Sequence, residues 1–212
     1  GLGVIQFFDP ATARNKDSLT GENFDGLAAI VEPLRADGTP VPRDGFPLHF
    51  INWKARHQGT HRTVNSAWLR EVRPANFVSI NPVDADERGI KNGDQIILRS
   101  PDAEVQGVAM LTQGIRPGVV GADAAFGHQE YGSKSYEVDG EVVEPPKRYG
   151  HEESARRITP MHEEIGYAGP RDAGFGVNHL LSVETLLGGG GMSDPIGGGA
   201  AQFDTWIEIE KA

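Results

Sequence analysis

The chain has 212 residues, 38% hydrophobic and 24% charged, a balance that suits one substantial buried core and not a disordered polymer. Its formal net charge of −10 argues against a general binder of nucleic-acid backbone, and no apolar run approaches the about 20 residues that a membrane helix needs, so the segment is expected to be soluble. With no cysteine it carries no disulfide, thiolate nucleophile or cysteine-held iron–sulfur cluster, while 28 glycines and 14 prolines point to turns and loops instead of a helical bundle.

Residues 1–45, punctuated by Asp9-Pro10, Leu19-Thr20-Gly21 and Pro40-Val41-Pro42, are expected to form an irregular, extended lead-in from a preceding domain. Phe46 to Ile51 is the first strand, followed by the polar tract Asn52 to Thr63. Asn65 to Val72 has the spacing of a short helix whose Ala67, Trp68 and Val72 share an apolar face, stopped by Pro74.

Phe77 to Ser100 is the most legible segment. Phe77, Val78 and Ile80 make a short strand, Asn81 caps a helix begun by Pro82, and Asp84 lies near its positive start. Gly89 ends that helix in the left-handed conformation, Ile90 anchors the chain, and Asn92-Gly93-Asp94 turns it into a second strand from Gln95 to Arg99. Further strands are expected at Val105 to Thr112 and Val119 to Ala122, with a turn over Gly114 to Gly118. The region of about 126–175 is expected to be a surface insertion with one short helix, and Thr205 to Glu210 alternates as a closing strand. Many short strands joined by tight turns predict a closed barrel, mainly β with short helices.

The candidate chemistry is sparse. His57 and His61 have the i,i+4 spacing of a zinc-binding helix, but the glutamate beside the first histidine is missing and Gly59 weakens the helix, so a zinc hydrolase is the weaker alternative. The clusters Gly188 to Gly191 and Gly197 to Gly199 lack the Gly-Lys-Ser/Thr of a phosphate loop and read as turns. His128 reads as a structural hydrogen-bonding group, and neither Ser66 nor Ser182 sits in a nucleophile elbow.

Several motifs in order resemble one family: Leu48 to Ile51, the polar Lys54 to Thr63 tract, INPVDADERGIKNGDQIILRS, IRPGVV, and GVNHLL before a late Asp-Pro. Together they are similar to the C-terminal molybdopterin-dinucleotide-binding domain of the dimethyl sulfoxide reductase family, over roughly Phe46 to Lys211. LTGENFDG and FGHQEYG look most like the branch of tetrathionate, thiosulfate and arsenate reductases.

The resemblance implies a double-psi β-barrel, like that of aspartate decarboxylase, over residues 46–212. It implies that Asn52, Lys54, Arg56, His57, Gln58, Thr60, His61, Thr63, Asn178 and Asp204 bind cofactor, with no catalytic or metal-ligating residue in this segment. The chain lacks the Thr-Gly-Arg that many members carry at the start of the loop. The implied cofactor is bis(molybdopterin guanine dinucleotide) with molybdenum or tungsten, shared with preceding catalytic domains of the same polypeptide that would also hold any iron–sulfur cluster. A separate electron-transfer subunit carrying iron–sulfur clusters, another that anchors the enzyme to a membrane, and an extracytoplasmic or periplasmic location are also implied. The implied function is to hold this cofactor for two-electron reduction of a sulfur oxyanion such as tetrathionate in anaerobic respiration, with the isolated segment inactive. The rival class is a double-psi barrel acting as an interaction module without a metal cofactor.

Overall fold

The computed structural model describes residues 6–18, 20–28, 32–63, 66–73, 75–127, 136–138, 140–143, 174–184, 190–194 and 196–212. Strand β1 spans Leu48–Lys54 and helix α1 Ala67–Val72; β2 (Val78–Ile80), α2 (Pro82–Glu87) and β3 (Gln95–Arg99) follow. Next come β4 (Glu104–Leu111) and β5 (Val119–Ala124), the hairpin β6 (Tyr136–Val138) and β7 (Glu141–Val143), the pair β8 (Val183–Glu184) and β9 (Gly190–Gly191), and β10 (Thr205–Lys211).

Six strands close a barrel in the order β1-β10-β3-β4-β2-β5, with β5 returning to β1. The pairs β1·β5 and β2·β4 are parallel and the other four are antiparallel. This is the closed barrel that the strand pattern predicts, of the double-psi type that the resemblance implies. Strand alternation places one apolar set inside: Leu48 and Phe50 from β1, Ile96 and Leu98 from β3, Val120 and Ala122 from β5, Ile207 and Ile209 from β10. Val78, Ile80, Ile90, Phe175, Val177 and Leu180 complete the same core.

The segment around α2 folds as its residues dictate. The Asn81 side chain accepts a hydrogen bond from Val83 N at 3.0 Å, Pro82 takes the first helical position, and Gly89 has φ +65° just beyond the helix. β2 and β3 are not neighbours, however, because β4 runs between them.

Elsewhere local signals misplaced boundaries. β1 begins at Leu48 and continues to Lys54, so Asn52, Trp53 and Lys54 belong to a strand; pairing with β5 as far as Lys54↔Ala124 holds these polar residues extended. The predicted apolar face of α1 is not buried: Trp68 and Val72 are both exposed. Gly190–Gly191, read as a turn, pairs with Val183–Glu184, whereas the turn at 194–199 is real, with Gly198 at φ +67° and the Asp194 N–H donating to Gly199 O. β4 starts one residue earlier than predicted, and β5 and β10 run further.

The lead-in has little regular structure but folds back on itself through isolated bridges Phe8↔Leu27, Lys16↔Asn23 and Leu34↔Pro40. Arg35 ties it to the barrel by donating from Nε to Val183 O at 3.2 Å and pairing with Asp102. In the predicted insertion, Phe126 and Phe175 are core residues and β6–β7 make a hairpin. The rest of the expected insertion, with Pro145-Pro146 and the charged run His151 to Arg157, lies outside the described residues, as does His128, and no helix is seen among the described residues of 126–175.

Candidate functional site

Barrel topology collects one set of loops at one end. β1 and β5 run parallel and leave at Lys54 and Ala124, while antiparallel β10 enters there, with Thr205 opposite Phe50. β2 also starts at this end, because Val78 faces Ala122. The polar tract after β1, the segment before β2, the residues after β5 and those before β10 therefore share this exit end.

Asn52 continues the inward face of β1 beyond Phe50 and is buried, and its Nδ2 donates to Gln202 O at 3.2 Å. That bond draws the Gln202–Asp204 segment to the end of β1. Asp204 is half-buried, and its carbonyl accepts from the Ser182 hydroxyl at 2.8 Å. Ser182 also receives support from Thr205, so it locks the start of β10. Lys54, Arg56 and His57 project into solvent.

Gln58 is buried at the heart of the tract. Its Oε1 accepts from the Thr63 hydroxyl at 2.8 Å, and Thr63 Oγ1 accepts from Gly59 N at 2.6 Å, so this trio closes the loop on itself. Gln58 Nε2 is buried without a hydrogen-bond partner among the described residues. An unpaired buried donor costs about 1–3 kcal/mol, so it asks for an acceptor from outside the described residues. Thr60 has φ +58°, a left-handed conformation disfavoured for a β-branched residue, and starts the single 3₁₀ turn Thr60–Arg62 that contains His61. His57 lies outside that turn, so the two histidines do not share the helix a zinc pair needs. Among the described residues no three His, Asp or Glu gather as a metal site.

Asn178 sits on the 3₁₀ turn Val177–His179, between the buried anchors Val177 and Leu180, and is exposed. Its segment reaches the exit end through Asn76: Asn76 Nδ2 donates to both Asp123 O and Phe175 O at 2.9 Å, and Phe175 N donates to Asn76 Oδ1 at 2.8 Å. Every predicted residue thus belongs to a segment at this end. A cavity of about 410 Å³ lies beside it, between Glu104–Gln106 and Gly174–Gly176 with His179 at its wall, and none of the predicted residues lines it.

Sequence reasoning missed Asn76, Arg73 and Asp123. Arg73, the residue closing α1, pairs with the buried Asp123 carboxylate. No local pattern marks these residues, because their partners come from distant strands.

The fold is a closed barrel that gathers the ends of β1 and β5 and the starts of β2 and β10, with their polar side chains, at one end. The family model described as "Molydopterin dinucleotide binding domain" matches residues 48–168, more than half of the chain. The chain belongs to the molybdopterin dinucleotide-binding domain family, and its likeness to the dimethyl sulfoxide reductase family is borne out. It is 28% identical over 223 residues to a selenate reductase polypeptide of Mesobacillus selenatarsenatis, covering 99% of this chain and 19% of that one. It is 29% identical over 140 residues to a tetrathionate reductase polypeptide of Salmonella typhimurium, covering 64% of this chain and 14% of that one. Acetylene hydratase from Pelobacter acetylenicus shares the fold with a TM-score of 0.55 at 14% identity, over 89% of this chain and 22% of that structure. The chain therefore spans about a fifth or less of these relatives' lengths.

The residues present fit a pterin dinucleotide. Its ring carbonyls, ring nitrogens and pyrophosphate are acceptors for an orphaned amide such as Gln58 Nε2 and for the exposed cations Lys54, Arg56 and Arg62.

Proposed function

We propose that this chain is the cofactor-holding domain of a larger molybdenum or tungsten oxidoreductase, binding bis(molybdopterin guanine dinucleotide) for two-electron reduction of a sulfur oxyanion such as tetrathionate. The observation that carries the reading is Gln58: a buried side chain whose Nε2 has no hydrogen-bond partner among the described residues, in the tract that resembles the family's cofactor loop and falls within the matched range 48–168. The bound cofactor supplies the two-electron chemistry at its metal. This chain's residues bind and orient: Asn52 and Gln58 line the base of the end, Lys54, Arg56 and Arg62 offset phosphate charge, and Thr60, Thr63, His57, His61, Asn178 and Asp204 supply polar contacts around it. Tetrathionate as substrate is supported by the Salmonella relative and the motifs at Leu19 to Gly26. Preceding catalytic domains, an electron-transfer partner with iron–sulfur clusters and a membrane anchor would complete the enzyme.

The test is to express the protein as its gene encodes it with molybdate, oxidise it, and measure released pterin by fluorescence. We expect stoichiometric pterin in the wild type and about tenfold weaker retention in Gln58→Leu, which removes the donor. A folded wild-type protein that carries no pterin would point to the interaction-module reading instead.

A further inference from the structure

We propose that Arg73, Asp123 and Asn76 form a positioning clamp that fixes the two halves of the cofactor end relative to each other, with Asn76 as its centre. One half is the tract after β1, which runs through α1 to Arg73; the other is the Gly174–Leu180 segment that carries Asn178. They meet at the exit of β5. The Arg73 guanidinium holds the Asp123 carboxylate, while the Asp123 carbonyl accepts from Asn76 Nδ2. The same amide exchanges two hydrogen bonds with the backbone N–H and C=O of Phe175, imitating one rung of a β-ladder.

The clamp is tight on every side. Asn76 is 1% exposed, and both of its N–H groups are used. Gly174 has φ +84°, and a Cβ there would overlap Asn76 Oδ1; at Gly127 (φ +69°) a Cβ would overlap the Gly176 backbone. The 174–176 backbone thus lies directly against Asn76 and the β5 exit. Buried Val177 and Leu180 then leave Asn178 only the outward direction. The Arg73 guanidinium meets the Asp123 carboxylate through Nη2, while its buried Nε has no hydrogen-bond partner among the described residues.

The inference rests on the reading that the 55–63 tract and Asn178 face the dinucleotide. Two readouts keep the two apart: hydrogen exchange, which needs no cofactor, and pterin retention, both on the protein as its gene encodes it. We expect Asn76→Ala to raise exchange across 174–180 about tenfold while β3 and β10 stay protected, and to speed pterin loss by a similar factor. The losses from Asn76→Ala and Asn178→Ala should not multiply in the double variant, since one acts through the other. Asn76→Asp should hold pterin better at acidic than at neutral pH, because only a protonated carboxyl can still donate to a carbonyl. Unchanged exchange across 174–180 in Asn76→Ala, or multiplying losses in the double variant, would overturn the clamp. If Asn178→Ala retains pterin like the wild type, the functional reading of Asn178 fails and the exchange result alone decides the clamp.

Discussion

Arg88 and Glu208 join α2 to the closing strand through a two-point ion pair: Arg88 Nε donates to Glu208 Oε1 at 2.5 Å and Nη2 to Oε2 at 3.2 Å. Arg88 also donates to Asp84 O at 3.1 Å, and its pKa is raised, first by the Glu208 hydrogen bond. The side chains are 17% and 32% exposed, so water screens the pair only in part. Arg88→Ala should cost about 1–2 kcal/mol in urea unfolding, and Arg88→Lys should recover less than half, because an ammonium cannot make both contacts.

Asn81 serves two elements at once. Its Oδ1 caps α2, and its Nδ2 donates to the buried Ile115 carbonyl at 2.6 Å. Asn81→Ala should lower stability by about 2–3 kcal/mol, the sum of a lost cap and an abandoned buried acceptor. Asn81→Asp keeps the cap but not the donor, and calorimetry should place its melting temperature between the two.

Two glycines should respond differently to alanine. At Gly121 a Cβ would overlap the Trp53 ring and lie 2.8 Å from Ile51 O, so Gly121→Ala should cost about 3 kcal/mol and raise exchange along β1·β5. At Gly89 nothing lies within 4 Å and only the positive φ resists, so Gly89→Ala should cost about 1 kcal/mol with the barrel untouched.

Asp94 supplies a pH signature. Its pKa is lowered, first by the hydrogen bond from Lys211 Nζ at 2.9 Å and then by the Lys91 N–H. A depressed folded pKa stabilises the fold above the ordinary carboxylate value of about 3.9 and loses that contribution as pH falls through the folded value. Carboxyl NMR should show Asp94 titrating below that value in the wild type and nearer to it in Lys211→Ala.

Legibility followed the range of each interaction. Asn81, Pro82 and Gly89 act on neighbours within a turn, so α2 was readable almost residue by residue. The end of β1 was not: Asn52, Trp53 and Lys54 are polar or bulky, and only their pairing with Ala122, Asp123 and Ala124 makes them strand. α1 misled for the converse reason, since its apolar spacing is a helical signal and yet Trp68 and Val72 stay exposed. The family resemblance named the loop residues, but Asn76 escaped both kinds of reading. Its importance comes from Asp123 and Phe175, far along the chain, and nothing around Ala75 and Phe77 announces it.

The insertion of β10 between β1 and β3 has a consequence for synthesis. Leu48 must wait for Ile207, and Arg99 for Glu208, before β1 and β3 have a neighbour on their second edge. While the ribosome is still translating the middle of the chain, β1 and β3 are bare strand edges, and pairings that span so much sequence form slowly. A transcript cut short before Thr205 would therefore yield no smaller working barrel, but a sheet with two sticky borders, fit for a chaperone or a protease.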